Sequence, residues 1–155
     1  MAHPIEELKK IRLQKLQVIK KLGINPYPAQ SLREQTVSDA LKMPGKKVAV
    51  AGRIRAIRGH GGIQFFDLAD ESGKIQLVFK KDQLSVVGSK LLVLLDLGDF
   101  LAAQGKVFKT SSGEISVAVE DFQLLTKAIR PLPSTWYELK DIEERFRRRY
   151  VDLLM

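Results

Sequence analysis

The chain contains no cysteine, which removes disulfide bonds and thiolate metal sites together. Histidine is nearly missing as well. His3 and His60 are the only two, and their separation fits no zinc-ligand spacing. Long apolar runs are also lacking. The longest, Leu91 to Leu95, falls far short of the roughly 20 residues that a membrane-spanning helix needs. The N-terminus alternates charged and apolar residues, without the continuous apolar stretch of a secretory signal. The sequence shows no P-loop phosphate motif, no metal cluster and no plausible nucleophile–base pair. These absences lead to the expectation of a soluble, unprocessed, cytoplasmic protein with no membrane partner and no cofactor held by this chain.

What is present describes a folded protein. Of the 155 residues, 45% are apolar and 28% charged, a globular composition with room for one ordinary domain and extensions. The net charge is +8, and it is unevenly spread. Residues 1–44 carry eight basic and four acidic groups, 45–126 eleven and nine, and 127–155 seven and five. Arg145, Arg147, Arg148 and Arg149 concentrate the excess near the end. A polyanion, nucleic acid first, is the partner such a balance suits, although solubility alone also produces basic domains.

The pattern divides the chain at 1–44, 45–126 and 127–155. Residues 4–22 read as an amphipathic helix. Ile5, Leu8, Ile11, Leu16, Ile19 and Leu22 form a rough stripe, Glu6 and Glu7 stand at the start, and Lys20 and Lys21 precede Gly23. That helix suits docking on its own domain, and its basic outer face equally suits nucleic-acid backbone. Pro26 and Pro28 end it, and residues 36–43 read as a short second helix stopped by Pro44-Gly45.

From Lys46 to Leu125 the period becomes two. Strands are expected over 48–57, 63–69, 74–80, 99–109 and 114–125, with a helix over 82–96 between the third and fourth. The helix is apolar on two sides and so is expected to be well covered. Five strands with a helix in that place make a mainly β, five-stranded OB-fold barrel, with Gly52, Gly98 and Gly105 at its sharp bends. A split α+β sheet is the other arrangement this order allows. A helical stretch from Asp141 follows a proline-rich linker and runs to an apolar end, as in a larger protein cut short.

Phe65 and Phe66 are adjacent, so in a strand they point to opposite faces. Pairing Asp70 with Gly73 sets Leu68 opposite Ile75 and Phe66 opposite Leu77, one continuous apolar face. Phe65 then lies opposite Val78 on the other face, one diagonal step from Gln76. The last strand turns Ile115, Val117 and Val119 inward and leaves Glu114 outside. The first turns Val48, Val50 and Ile54 inward, leaving Arg53 and Arg55 outside, with Arg58 at its end. A ring, an amide, a carboxylate and arginines on one barrel face suit single-stranded nucleic acid. The ring stacks on a base, Gln76 and Glu114 read base edges, and Arg53, Arg55 and Arg58 hold phosphates or stack. The alternative is that the N-terminal helix covers Phe65 and the polar groups are ordinary surface.

Several segments together resemble a known family. They are Lys-Lys-Leu-Gly-Ile-Asn-Pro-Tyr-Pro (20–28), Val-Ala-Gly-Arg-Ile (50–54), Phe65 through Gln76, Leu-Leu-Thr-Lys-Ala-Ile-Arg-Pro-Leu-Pro (124–133) and Arg-Arg-Tyr-Val-Asp-Leu (148–153). In this order they are similar to the N-terminal region of class II lysyl-tRNA synthetases, over nearly the whole chain. The resemblance implies an anticodon-binding domain for tRNA carrying the lysine anticodon. Phe65 would stack on an anticodon base and Gln76 would recognise the central uridine, with Arg58 and Glu114 at matching positions. It also implies ATP and Mg in a catalytic domain beyond Met155, a homodimer formed through that domain, and no aminoacylation by these residues alone. One departure is the loop Gly59-His60-Gly61-Gly62, where the family often has a basic residue; a mobile loop is expected there. Aspartyl or asparaginyl synthetase domains share the aromatic-to-glutamine spacing, and a sequence-tolerant single-strand binder shares the barrel. The glycine–proline segment and the Arg-Pro-Leu-Pro linker favour lysine, and a general binder would need more than one stacking ring.

Overall fold

The computed structural model describes residues 4–131 and 142–153. Five strands close into a barrel in the order β1-β2-β3-β5-β4: β1 (Lys47–His60), β2 (Ile63–Asp70), β3 (Gly73–Lys80), β4 (Phe100–Lys109) and β5 (Ile115–Thr126). All neighbours are antiparallel except β3 and β5, which run parallel over three paired positions, Gln76↔Ser116 to Val78↔Ala118. Closure depends on β1. Its first half pairs with β4 and its second half with β2. Two glycines permit the tight approach that this requires. A Cβ on Gly52 would overlap the carbonyl of Ala69, and one on Gly105 the carbonyl of Ala118.

The inward face carries Val48, Val50, Ile54, Phe66, Leu68, Leu77, Phe79, Leu101, Val107, Val117 and Leu124, all buried. The expected hairpin register is the observed one: Phe66↔Leu77, Leu68↔Ile75 and Asp70↔Gly73. Phe66 meets Phe79 with ring centroids 4.9 Å apart. The core is therefore built from the alternation itself.

The β1–β2 connection differs from the expected loop. Strand pairing continues to His60↔Ile63, because Gly61 takes φ +60°, the conformation a two-residue hairpin turn demands. The side chain of His60 lies outside the described residues.

The expected helix over 82–96 is shorter. A 3₁₀ turn (Lys81–Gln83) precedes α3 (Val86–Leu92). Leu84 is extended between them, and the Ser85 hydroxyl caps α3 by accepting from the Gly88 N–H. Only one side is covered. Leu91 and Leu92 are buried, whereas Val86, Val87 and Val93 are exposed.

The short α2 (Val37–Ala40) starts at Thr36, whose hydroxyl accepts from the Asp39 N–H. It is tied to the β2–β3 turn by Asp70, whose carboxylate accepts from the amides of Val37, Ser72 and Gly73 and from the Ser72 hydroxyl. Burial pushes the Asp70 carboxyl up, but these donors outweigh it and hold it below its ordinary value. The stability it contributes is present above the unfolded pKa of about 3.9 and is lost as pH falls through the folded value. Asp70→Ala is expected to cost about 1–2 kcal/mol near neutral pH, read as a lower urea midpoint, with the difference shrinking in acid.

α1 (Pro4–Lys21) docks by a different stripe from the expected one. Leu16 and Ile19 are buried, but Ile5, Leu8 and Ile11 are exposed, and the third packed residue is Arg12. Positions 12, 16 and 19 share a helix face. Arg12 donates to the carbonyls of Ala128 at 2.9 Å and Leu97 at 3.1 Å, so a buried cation takes the place of an apolar contact. Beside it, fully buried Lys127 sits between Asp96 and Asp99, 2.8 Å from the latter, and Lys15 reaches Asp96 at 2.6 Å. The expected C-terminal helix is broken into α4 (Ile142–Arg147) and α5 (Arg149–Asp152), because Arg148 leaves helical geometry at φ −118°, ψ 50°. Leu132 and Pro133 of the linker motif and the expected helix start at Asp141 lie outside the described residues.

Candidate nucleic-acid interface

Register across the barrel lays the outward side chains of one region in two rows. The first runs Ala56, Asp67, Gln76, Ser116, Phe108 through β1, β2, β3, β5 and β4. The second runs Arg58, Phe65, Val78, Ala118, Lys106 in the same strand order. Arg58 joins this face through a β-bulge. Pairing skips Arg55, from Ile54↔Leu68 to Ala56↔Asp67, which resets the alternation so that an even-numbered residue after the bulge points outward.

Arg58, Phe65, Gln76 and Glu114 line one groove of about 590 Å³, with Val78, Phe108 and the Thr110–Ser112 end of the β4–β5 hairpin. Phe65 is half-buried, and no residue of α1 is among the lining. Arg53 and Arg55 lie outside it. The Arg53 guanidinium stacks 4.4 Å from the Phe100 ring centroid. Burial first, and the neighbouring Arg55 charge second, lower its pKa from the ordinary value. The structure thus brings four of the six candidate residues together and leaves the other two elsewhere on β1.

Hydrogen bonds organise the polar half of the groove. Gln76, nearly buried, donates from Nε2 to Glu114 Oε2 at 3.1 Å and accepts at Oε1 from the Ser116 hydroxyl at 3.0 Å. Asp67, also nearly buried, receives Arg58 Nη2 at 2.6 Å and Lys74 Nζ at 3.3 Å. Its carboxylate therefore holds two cations at the groove edge, each with more than half of its side-chain surface in water.

Three contributors went unassigned in the sequence: Phe108, Ser116 and Asp67. For the first two the signal was available. Inward Leu101, Ala103 and Val107 put Phe108 outside, and inward Val117 puts Ser116 beside Glu114. Asp67 was visible on the outer face, but nothing in the sequence indicated which cations it holds. Among the described residues, no group of three or more His, Asp or Glu could hold a metal ion, and no helix is long and apolar enough to cross a membrane.

A closed five-stranded barrel with a ring, an amide and cations on one outer face is the architecture of single-strand recognition. Residues 48–125 match the tRNA anti-codon family model, described as an OB-fold nucleic acid binding domain, and the chain belongs to that family. Its curated relatives carry a more particular name. It is 46% identical to the lysine–tRNA ligase of Syntrophomonas wolfei, 43% to that of Carboxydothermus hydrogenoformans and 41% to that of Moorella thermoacetica. These alignments cover 97%, 97% and 96% of this chain and 31%, 32% and 31% of the relatives. The chain thus spans about a third of the length of the proteins it matches.

Proposed function

We propose that this chain is the tRNA-binding region of a lysine–tRNA ligase and that the groove takes bases of the lysine anticodon. Phe65 offers the stacking face. Gln76 and Glu114 together present an N–H donor beside a carboxylate acceptor, the complement of the O4 and N3–H edge of uracil. Arg58, steered by Asp67, supplies charge for the backbone. The observation that carries the reading is the Ser116–Gln76–Glu114 hydrogen-bond chain set beside Phe65 in a single groove. The names of the relatives supply the amino acid.

On this reading, aminoacylation, with its ATP and Mg, and dimerisation of a cytoplasmic enzyme belong to the two thirds of the relatives that this chain does not span. Residues 1–44 are an N-terminal helical extension and linker to the barrel at 45–126, and residues 127–155 lead toward that remainder. A second reading has one observation in its favour. Phe108 lines the groove with Phe65, and two rings suit a binder that accepts any single strand.

Titration with an RNA hairpin bearing UUU at the centre of its loop separates the two. The anticodon reading expects binding that weakens steeply with salt and falls about tenfold or more when the central uridine is replaced by cytidine, the effect of one mispaired hydrogen bond of about 1.4 kcal/mol. Equal affinity for both hairpins favours the sequence-tolerant binder.

A further inference from the structure

The glutamine of this groove poses a problem that the reading above leaves open. A side-chain amide is nearly symmetric in shape, and turning it over exchanges its donor end for its acceptor end. Offered donor-first, Gln76 suits a base edge that accepts, such as the O4 of uracil. Turned over, it suits one that donates, such as the amino group of cytosine. Whatever holds the amide one way round therefore sets the amide's share of the selectivity.

Two contacts hold it in the groove. Glu114, acceptor-only as a carboxylate, takes Nε2 at 3.1 Å, and the Ser116 hydroxyl donates to Oε1 at 3.0 Å. The two partners differ in environment. Glu114 is exposed, and the N3–H of a uracil seated on Nε2 competes with the amide for its carboxylate. Ser116 is wholly buried, on β5 directly across the ladder from Gln76. Its bond lies on the protein side, away from the ligand, and survives when the Glu114 contact is exchanged.

We propose that Ser116 is a positioning residue that locks the amide of Gln76 donor-outward and thereby excludes bases that present an amino group at that point. This rests on the anticodon reading. It adds the residue that enforces selectivity without touching the base. Turning Gln76 over would place Oε1 against the Glu114 carboxylate and deprive the Ser116 proton of its acceptor, so both partners oppose the flip until a base displaces Glu114. After that, Ser116 alone opposes it.

The test measures the affinities of four chains for the uridine-centred and cytidine-centred hairpins: wild type, Ser116→Ala, Gln76→Ala and the double variant. Wild type is expected to prefer uridine about tenfold or more. Ser116→Ala should bind the cytidine hairpin more tightly than wild type does, narrowing the ratio by about threefold or more (roughly 0.6 kcal/mol), while the Glu114 carboxylate still disfavours the unprotonated N3 of cytosine. In the Gln76→Ala background it should leave the affinity ratio unchanged. A gain of binding to the wrong base is something general loosening of the barrel does not produce, and Ser116→Thr, which keeps the hydroxyl, should restore the preference. If wild type prefers uridine and Ser116→Ala leaves the ratio unchanged, the Ser116 assignment is overturned while the anticodon reading stands. If wild type shows no preference, the anticodon reading falls and takes this one with it. Should Ser116→Ala not fold, the side-chain amide of Gln76 in the wild-type chain decides by NMR. Nε2 protons in contact with Glu114 and not with Ser116 Hβ support the lock, and contacts from them to Ser116 Hβ overturn it.

Discussion

Lys127→Ala is expected to destabilise the chain by about 3–5 kcal/mol, the effect of stripping one partner from a buried ion pair. The Lys127 ammonium is fully buried between Asp96 and Asp99, and Asp99 is itself fully buried. Burial pushes the Asp99 carboxyl above its ordinary value even with Lys127 beside it. At Asp96 burial acts in the same direction, but Lys127 and Lys15 outweigh it and hold the group below. Removing the ammonium leaves the Asp99 charge with backbone donors alone, from Asp96 and Ala128. Its folded pKa then rises further, so the folded state holds a proton that the unfolded state, with its carboxyl at a pKa of about 3.9, has already released. Stability of the variant should therefore fall as pH rises above that value, making the deficit smaller at pH 5 than at pH 7 in urea denaturation. An exposed pair supplies the control. Lys47 and Glu120, 2.7 Å apart with both side chains more than half in water, should contribute no more than about 1 kcal/mol. Equal losses at Lys127 and Lys47 would contradict the account of the buried cluster.

The two adjacent phenylalanines give the second large effect, because they should fail in different assays. Phe66 has no exposed surface and packs on Phe79. Phe66→Ala should cost about 3–5 kcal/mol of stability through the cavity it leaves. Phe65, half-buried in the groove wall, should tolerate the same change with much less loss of stability. Its variant should instead lose about 1–3 kcal/mol of RNA affinity, roughly 5- to 150-fold in Kd, as the stacking surface disappears. Calorimetry on both variants and hairpin titration on Phe65→Ala separate the roles. A Phe65→Ala chain that binds the hairpin like wild type would remove the ring from the interface.

The placement of these rings was legible because strand alternation is a local rule and the Asp70–Gly73 turn anchors the register. The same reasoning placed Gln76 and Glu114 on the outer face. It failed where geometry departs from a regular period. The bulge that skips Arg55 is invisible to alternation, yet it puts Arg58 in the groove while Arg53 stacks on Phe100. The apolar pattern over 82–96 suggested one long covered helix, but an extended Leu84 and a serine cap divide it. The α1 stripe misled in its first half, because the residue that docks there is Arg12, whose backbone acceptors come from a turn and a linker more than eighty residues away. Lys127 was legible only as part of a family motif. Its burial between two aspartates depends on contacts 28 and 31 residues distant, which no local rule anticipates.

The central claim is that one face of the barrel, the groove around Phe65 and Gln76, receives the RNA. The most direct measurement is the map of amide chemical-shift changes when the 155-residue chain is titrated with the uridine-centred hairpin. The account predicts the largest changes on β2 and β3 around Phe65, Gln76 and Val78, on β5 around Glu114 and Ser116, and at Arg58 and Phe108. Changes concentrated instead on α1, or on the cleft between α3 and β5 near Leu84, Val87 and Phe122, would contradict it.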